Sequence, residues 1–452
     1  MPRAVLGLML VYSIFGCGSW QRVGTADRPQ PGVEVARLFD AATIYQRMGF
    51  FVTGAPLPAV AAVRYLAGPT PDSTLVLFAL SMASHSLTFR RDGNEFVAEY
   101  HVEMSFRSDS SPPVQLASDQ TVRVRNFQET LRADESILFQ GFLTLPPGPY
   151  TTSVMIRDRH SPAFARRDRM DTVPRFTGPA LGTPIPYYEG TGRDARSERP
   201  RLLANPRATL PYGADTLRFY VEGYGLPTGT RLAVVAVDLS ENELWRDTVT
   251  LEDGQGLARG TVKLAATMLP VGEEELRLET VGSAAQIRTS FLVSFSSQWV
   301  ITNYTEMVSL LRYFDRQDLV TKLRDAPPEQ RALAWREFWS ATDPVPVTPE
   351  NEAVDAYLRR IQTANLRFQE SGRPGWLTDR GAVYVTLGEP DEVLDFSSSA
   401  VSRNSAQGIR WTYNTLRLVL LFQDLTGFGR FDLTPGSRAD YQQVLARVRR
   451  AQ

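Results

Sequence analysis

The chain has 452 residues, 43% hydrophobic and 22% charged, with a formal net charge of −1. That length and apolar content suit about three domains with proper cores, and the near-zero charge excludes a global field toward nucleic acid or an acidic surface. A single cysteine, Cys17, excludes a disulfide framework and a cysteine metal site. Of 49 basic residues 47 are arginine, Lys263 and Lys322 being the lysines. The arginines are scattered, which reads as a compositional preference and not as an anion-binding surface.

Arg3 and the apolar run Ala4 to Phe15 (AVLGLMLVYSIF) have the anatomy of a cleaved secretory signal, since the run is too short to span a bilayer. Gly16-Cys17 resembles a bacterial lipobox, in which the thiol receives diacylglycerol and becomes the new N-terminus. Residues 1–16 are therefore expected to be a lipoprotein signal peptide, with lipid attachment at Cys17. An unpaired thiol is a liability in an oxidising compartment, and acylation removes it. Several acyl chains on one residue give stable attachment to a membrane. Gly18 stands where an inner-membrane retention signal places Asp, so the expected location is the outer membrane of a cell envelope. Residues 17–55 read as a tether, polar and Pro/Gly-punctuated from Gln21 to Pro31, with a short helix over Val35–Phe51.

Residues 56–175 carry short strands separated by turn residues: Ala61–Tyr65, Thr74–Leu80, Ser86–Phe89, Phe96–Met104, Val122–Val124, Ser136–Leu145 and Tyr150–Ile156. Strands at this spacing, without intervening helices, predict an immunoglobulin-like β-sandwich. Residues 176–205 are rich in Pro, Gly and Arg with little periodicity and read as a linker. A second, smaller sandwich is expected over 206–296, from strands Leu217–Glu222, Arg231–Val237, Trp245–Leu251, Leu257–Leu264, Glu275–Glu279 and Ile287–Phe295.

From 297 to 452 the pattern turns α+β. Helical spacing covers Tyr304–Phe314 and Pro328–Trp339. Thr348-Pro349-Glu350 is a strong helix start, with an apolar face through Val354, Tyr357, Leu358 and Ile361 behind it. Strands are expected at Ala382–Leu387, Gly408–Tyr413, Leu416–Phe422 and Arg430–Leu433, then a last helix from Ser437.

The most distinctive segment is Gly375-Trp376-Leu377-Thr378-Asp379-Arg380-Gly381, running into Ala382–Leu387 and Gly388-Glu389-Pro390-Asp391. With Asp343–Glu352, Ala364–Phe368 and Arg410-Trp411-Thr412-Tyr413 in the same order, it resembles the GWxTD-domain family of bacterial envelope proteins, over roughly 305–425. The resemblance implies exported proteins and carries over no activity. The expected fold is thus two immunoglobulin-like β-sandwich domains followed by an α+β C-terminal GWxTD domain.

The motif reads as a tight entry into a strand at Ala382. Gly375 and Gly381 allow backbone that side chains forbid, Thr378 and Asp379 accept from nearby N–H groups, and Trp376 supplies an apolar body. Arg380 is placed to pair with Asp379 or Glu352, and Gly388 to Asp391, with Pro390, form the turn that follows. These residues, with Trp411, are candidates for a structural or partner-binding role. A groove lined by Trp376, Asp379, Arg380 and Trp411 would suit a sugar or peptide, and Asp379, Glu389 or Asp391 would be the carboxylates of a hydrolase. His85, His101 and His160 are isolated, without metal-ligand spacing or a serine elbow. Glycine pairs at Gly223/Gly225 and Gly254/Gly256 lie between strands, not at a strand–helix junction that holds phosphate. No metal, cofactor, catalytic residue or nucleic-acid partner is expected. The expected role is a non-enzymatic, lipid-anchored envelope protein that contacts an envelope protein partner. The alternatives are an envelope glycan or peptide hydrolase and a carbohydrate-binding lipoprotein.

Overall fold

A computed structural model describes residues 40–451 apart from 110, 133–136, 214–215, 283, 297–298, 347–349, 371 and 396–406. The signal region, Cys17 and the tether up to residue 39 lie outside the described residues. The described part of the tether opens with helix α1 (Ala41–Arg47), capped by the Asp40 carboxylate, which accepts from Thr43 N at 3.2 Å.

The first β region is two antiparallel sheets. One runs in the order Phe51–Thr53, Ala59–Ala67, Thr74–Met82, Ile137–Leu145. The other runs Arg90–Asp92, Glu95–Ser108, Gly148–Asp158, Phe164–Val173, with Ser111–Val124 also paired to Glu95–Ser108. A short helix, α2 (Phe127–Thr130), leads into Ile137–Leu145. The sheets share a core: Val76, Phe78, Leu80 and Met82 from one, and Val102, Met104, Phe106, Val154 and Ile156 from the other. The opposite face of the first sheet is covered too. Leu66, Leu75, Leu77 and Ala79 pack against Ile185, Leu202, Ala204 and Tyr220 of the second β region. Thr74–Met82 is therefore buried at all nine positions, which accounts for its continuous apolar run without alternation.

Two expectations fail here. Ser84–Ser86 is a 3-10 turn, and the strand that pairs with Glu95–Ser108 begins only at Arg90. Residues 176–205 are not a linker. They contribute Ala180–Leu181, Ile185–Thr191 and Arg201–Ala204 to a sheet ordered Arg201–Ala204, Ile185–Thr191, Thr216–Tyr224, Ala258–Ala265, Glu252–Asp253. Strands this short, broken by Pro and Gly, do not run long enough to print a period of two.

The facing sheet runs Thr209–Pro211, Gln286–Ser294, Gly272–Thr280, Arg231–Asp238, Glu243–Thr250, its first pair parallel. Phe219, Val221 and Val262 meet Leu232, Val234, Leu276 and Phe291 between the sheets. The same core continues through Trp299, Ile301, Trp335, Phe338, Leu358 and Ile361. Phe295 and Trp335 mark the seam, their rings 4.6 Å apart. The change of character near residue 297 is thus a change of secondary structure and not a gap in packing.

The C-terminal part contains α3 (Tyr304–Leu310), α4 (Gln317–Asp325), α5 (Arg331–Thr342), α6 (Glu352–Arg367), α7 (Asp379–Leu387) and α8 (Pro435–Ala451). Its antiparallel sheet runs Glu392–Asp395, Gln407–Tyr413, Leu418–Asp424, Asp432–Leu433. Helix α4, absent from the sequence reading, buries Leu319, Val320 and Leu323. Thr348 and Pro349 lie outside the described residues, and the cap of α6 is Asn351, whose side chain accepts from Val354 N at 3.0 Å. The expected strand Ala382–Leu387 is helix α7. Its β-branched residues favour a strand, but the cap before them and Gly388 after them (φ 84°) fix a helix. Among the described residues no helix is long and apolar enough to cross a membrane.

Candidate functional site

The signature segment sits where α6, α7, α8 and the last strand converge. Gly375–Leu377 forms one 3-10 turn, and Thr378 then caps α7. Its hydroxyl donates to Gly375 O at 2.7 Å and accepts from Gly381 N at 3.0 Å. Thr378 is fully buried, so one side chain closes the turn and opens the helix without water. Asn365 of α6 accepts from Gly375 N at 3.2 Å. The glycines permit close approach: a β-carbon on Gly375 would lie 2.2 Å from Ala364 O.

Asp379 faces α8. Its carboxylate accepts from Leu433 N at 2.7 Å and from the Arg438 guanidinium at 2.5 Å. Arg380 pairs with neither Asp379 nor Glu352. It donates to Glu370 Oε1 at 3.1 Å and lies over the Phe431 ring at 4.7 Å. Glu370 was missed in the sequence. It is 6% exposed and also accepts from Phe431 N at 3.3 Å. Burial pushes its carboxyl up, against the pull of the Phe431 N–H and Arg380. No spacing rule marks Glu370, because its partners come from residues 10 and 61 positions away.

Trp376 and Trp411 line no groove. Trp376 is 6% exposed and meets Tyr313 edge-on at 6.2 Å. Trp411 is 3% exposed, its ring 5.3 Å from Phe368 and 4.9 Å from Phe422. Gly388 ends α7, and its carbonyl accepts from the Tyr413 hydroxyl at 3.0 Å, with Pro390 buried just beyond. Glu389 is bound bidentately by Arg367, at 2.6 and 2.8 Å, which holds its carboxyl below the usual range. Asp391 accepts from Asn414 N at 2.6 Å. Asp379, Glu389 and Asp391 thus each answer to a different partner and form no pair. Among the described residues no group of three His, Cys, Asp or Glu side chains could hold a metal. His85, His101 and His160 each have a different hydrogen-bond partner: His101 bonds Asp119 at 2.9 Å, and His85 and His160 face the carbonyls of Arg132 and Thr88.

A second buried polar cluster joins Arg193, in the stretch read as a linker, to strand Thr216–Tyr224. Arg193 and Glu222 are both fully buried and bond at 2.7 and 2.8 Å. The hydroxyls of Tyr220 and Tyr224 donate to the same carboxylate. Arg193 also donates to Ala67 O at 2.7 Å, and so ties the second β region to the first.

Residues 280–418 match the model of the GWxTD domain. The match takes in strand Gln286–Ser294, in keeping with the core that this strand shares with the helices. Among curated proteins none matches. The similar solved structures include red sea bream transglutaminase, 9% identical, with 56% of this chain covering 33% of that one at a TM-score of 0.15. They also include trypsin-activated α2-macroglobulin from Escherichia coli, 10% identical, 55% of this chain and 17% of that one, TM-score 0.18. A third is Bifidobacterium dentium β-glucuronidase, 8% identical, 53% of this chain and 48% of that one, TM-score 0.18. The chain thus spans less than half the length of these proteins, and at such scores they bear on neither its fold nor its activity. The family match and the ordered motifs from Asp343 to Trp411 agree: residues 280–418 of this chain match the GWxTD domain.

Proposed function

We propose that this chain is an exported protein held at the outer membrane through Cys17, with a structural or partner-binding role. The observation that carries the non-catalytic half is how the signature's polar groups are used. Thr378 closes a turn and caps a helix, Asp379 holds Leu433 N and Arg438, and Arg380 holds Glu370. A general acid or base must reach a substrate proton, whereas these groups are engaged inside the fold. Trp376 and Trp411, both buried, offer no aromatic face to a sugar. Export and anchoring rest on residues 1–17 alone. We read the two β regions as immunoglobulin-like sandwiches that space the C-terminal domain from the anchor.

Fractionation of wild type and Cys17→Ala tests the anchor: the wild type is expected in the membrane pellet and the variant in the soluble fraction. A variant that still pellets would refute attachment through this sulfur. Mild crosslinking of intact envelopes tests the partner, and recovery of free monomer alone would count against it.

A further inference from the structure

The turn Asn414–Arg417 joins strands Gln407–Tyr413 and Leu418–Asp424 beside the last turns of α8. Between them lies a cleft of about 730 Å³, lined by Leu416, Leu418, Val419 and Val444 and rimmed by Arg417, Arg447 and Arg450. Asp440 is the one acid on that lining. The volume falls in the usual range for small-molecule sites.

Two further observations bear on these arginines. Several arginines of the C-terminal part meet acids: Arg316–Asp318, Arg367–Glu389, Arg380–Glu370 and Arg438–Asp379. Among the described residues Arg417, Arg447 and Arg450 have no such partner, and only Arg447 makes a side-chain hydrogen bond, to Leu416 O at 3.0 Å. Arg417 also closes its turn at φ 49°, the left-handed region where hairpins of this length ordinarily place Gly. A bulky residue kept in strained backbone is a pointer to use of its side chain.

We propose that Arg417, Arg447 and Arg450 form a binding site for a phosphate group. Three guanidiniums against one carboxylate leave an uncompensated charge of about two, matched to a dianionic phosphate that accepts planar, paired N–H donors. The apolar side chains of Leu416 and Val419 on the lining take the organic part of the ligand. The phosphate comes either from a soluble compound or from a lipid headgroup. The inference does not rest on Cys17.

The test uses the full chain carrying Cys17→Ala, so that no acyl anchor contributes. Inorganic pyrophosphate is titrated calorimetrically, and sedimentation is measured with phosphatidylcholine vesicles with and without phosphatidic acid. Binding to at least one phosphate probe is expected, weakening as salt rises and falling at least tenfold in Arg417→Gln/Arg450→Gln. Pyrophosphate binding without sedimentation assigns a soluble ligand, and sedimentation only with phosphatidic acid assigns a headgroup. Arg447 is left intact because it holds Leu416. If the double variant unfolds more easily than the parent, Arg450→Gln alone, on the last helical turn, reads the same loss. No binding to either probe, or equal binding by the arginine variant, overturns the site.

Discussion

Gly381 lies directly against the carbonyl of Gly375: a β-carbon on Gly381 would sit 1.9 Å from that oxygen. The contact is to backbone, which cannot rotate away. Gly381→Ala must therefore pull the 3-10 turn off α7. We expect a loss of about 3 kcal/mol, the upper part of the range for overpacking, read as a drop in the urea midpoint.

Thr378 offers a cleaner substitution. Thr378→Val keeps the volume but removes both hydroxyl bonds, leaving Gly381 N without its cap. A cost of about 1–2 kcal/mol follows, with Thr378→Ser retaining most of the wild-type stability. Thermal unfolding of the two variants side by side is the measurement.

Arg193 and Glu222 form an ion pair with no solvent contact. Removing one charge strands the other. Glu222→Gln is expected to cost about 3–5 kcal/mol. Because Arg193 also bonds Ala67 O, limited proteolysis should then open the seam between the two β regions first.

Glu274 gives a pH dependence. It is 2% exposed, its Oε2 has no hydrogen-bond partner, and burial, reinforced by Asp238, pushes its carboxyl up to about 8. The folded state thus holds a proton that the unfolded chain releases near the ordinary carboxylate value of about 4.3. Folding binds more protons than the unfolded state across that window, so this group lowers stability as pH rises from about 4.3 to 8 and adds no slope beyond. Glu274→Gln should remove that slope. The gain of the variant over wild type should grow between pH 5 and pH 8, and an equal difference at both pH values would contradict it.

Much of the fold was legible where residues repeat over a long enough run. Glu95–Ser108 alternates and is a strand, and Thr74–Met82 is uniformly apolar because both its faces are covered. Short pieces misled. Ala382–Leu387 has the composition of a strand and the boundaries of a helix, and the boundary residues Thr378 and Gly388 decided it. Arg193, in a Pro/Gly/Arg-rich stretch, gave no sign of its partner Glu222, 29 residues on. The motif itself was visible, but its use was not, since Asp379 meets Leu433 and Arg438 across 54 and 59 residues.

The central claim is that the signature residues build the domain. Equilibrium urea unfolding of Asp379→Ala against wild type tests it most directly. If Asp379 holds Leu433 N and Arg438 as found, the variant should lose about 1.5–3 kcal/mol, the range for hydrogen bonds to a charged group. A variant as stable as wild type would contradict the claim and mark the carboxylate as kept for something outside the fold.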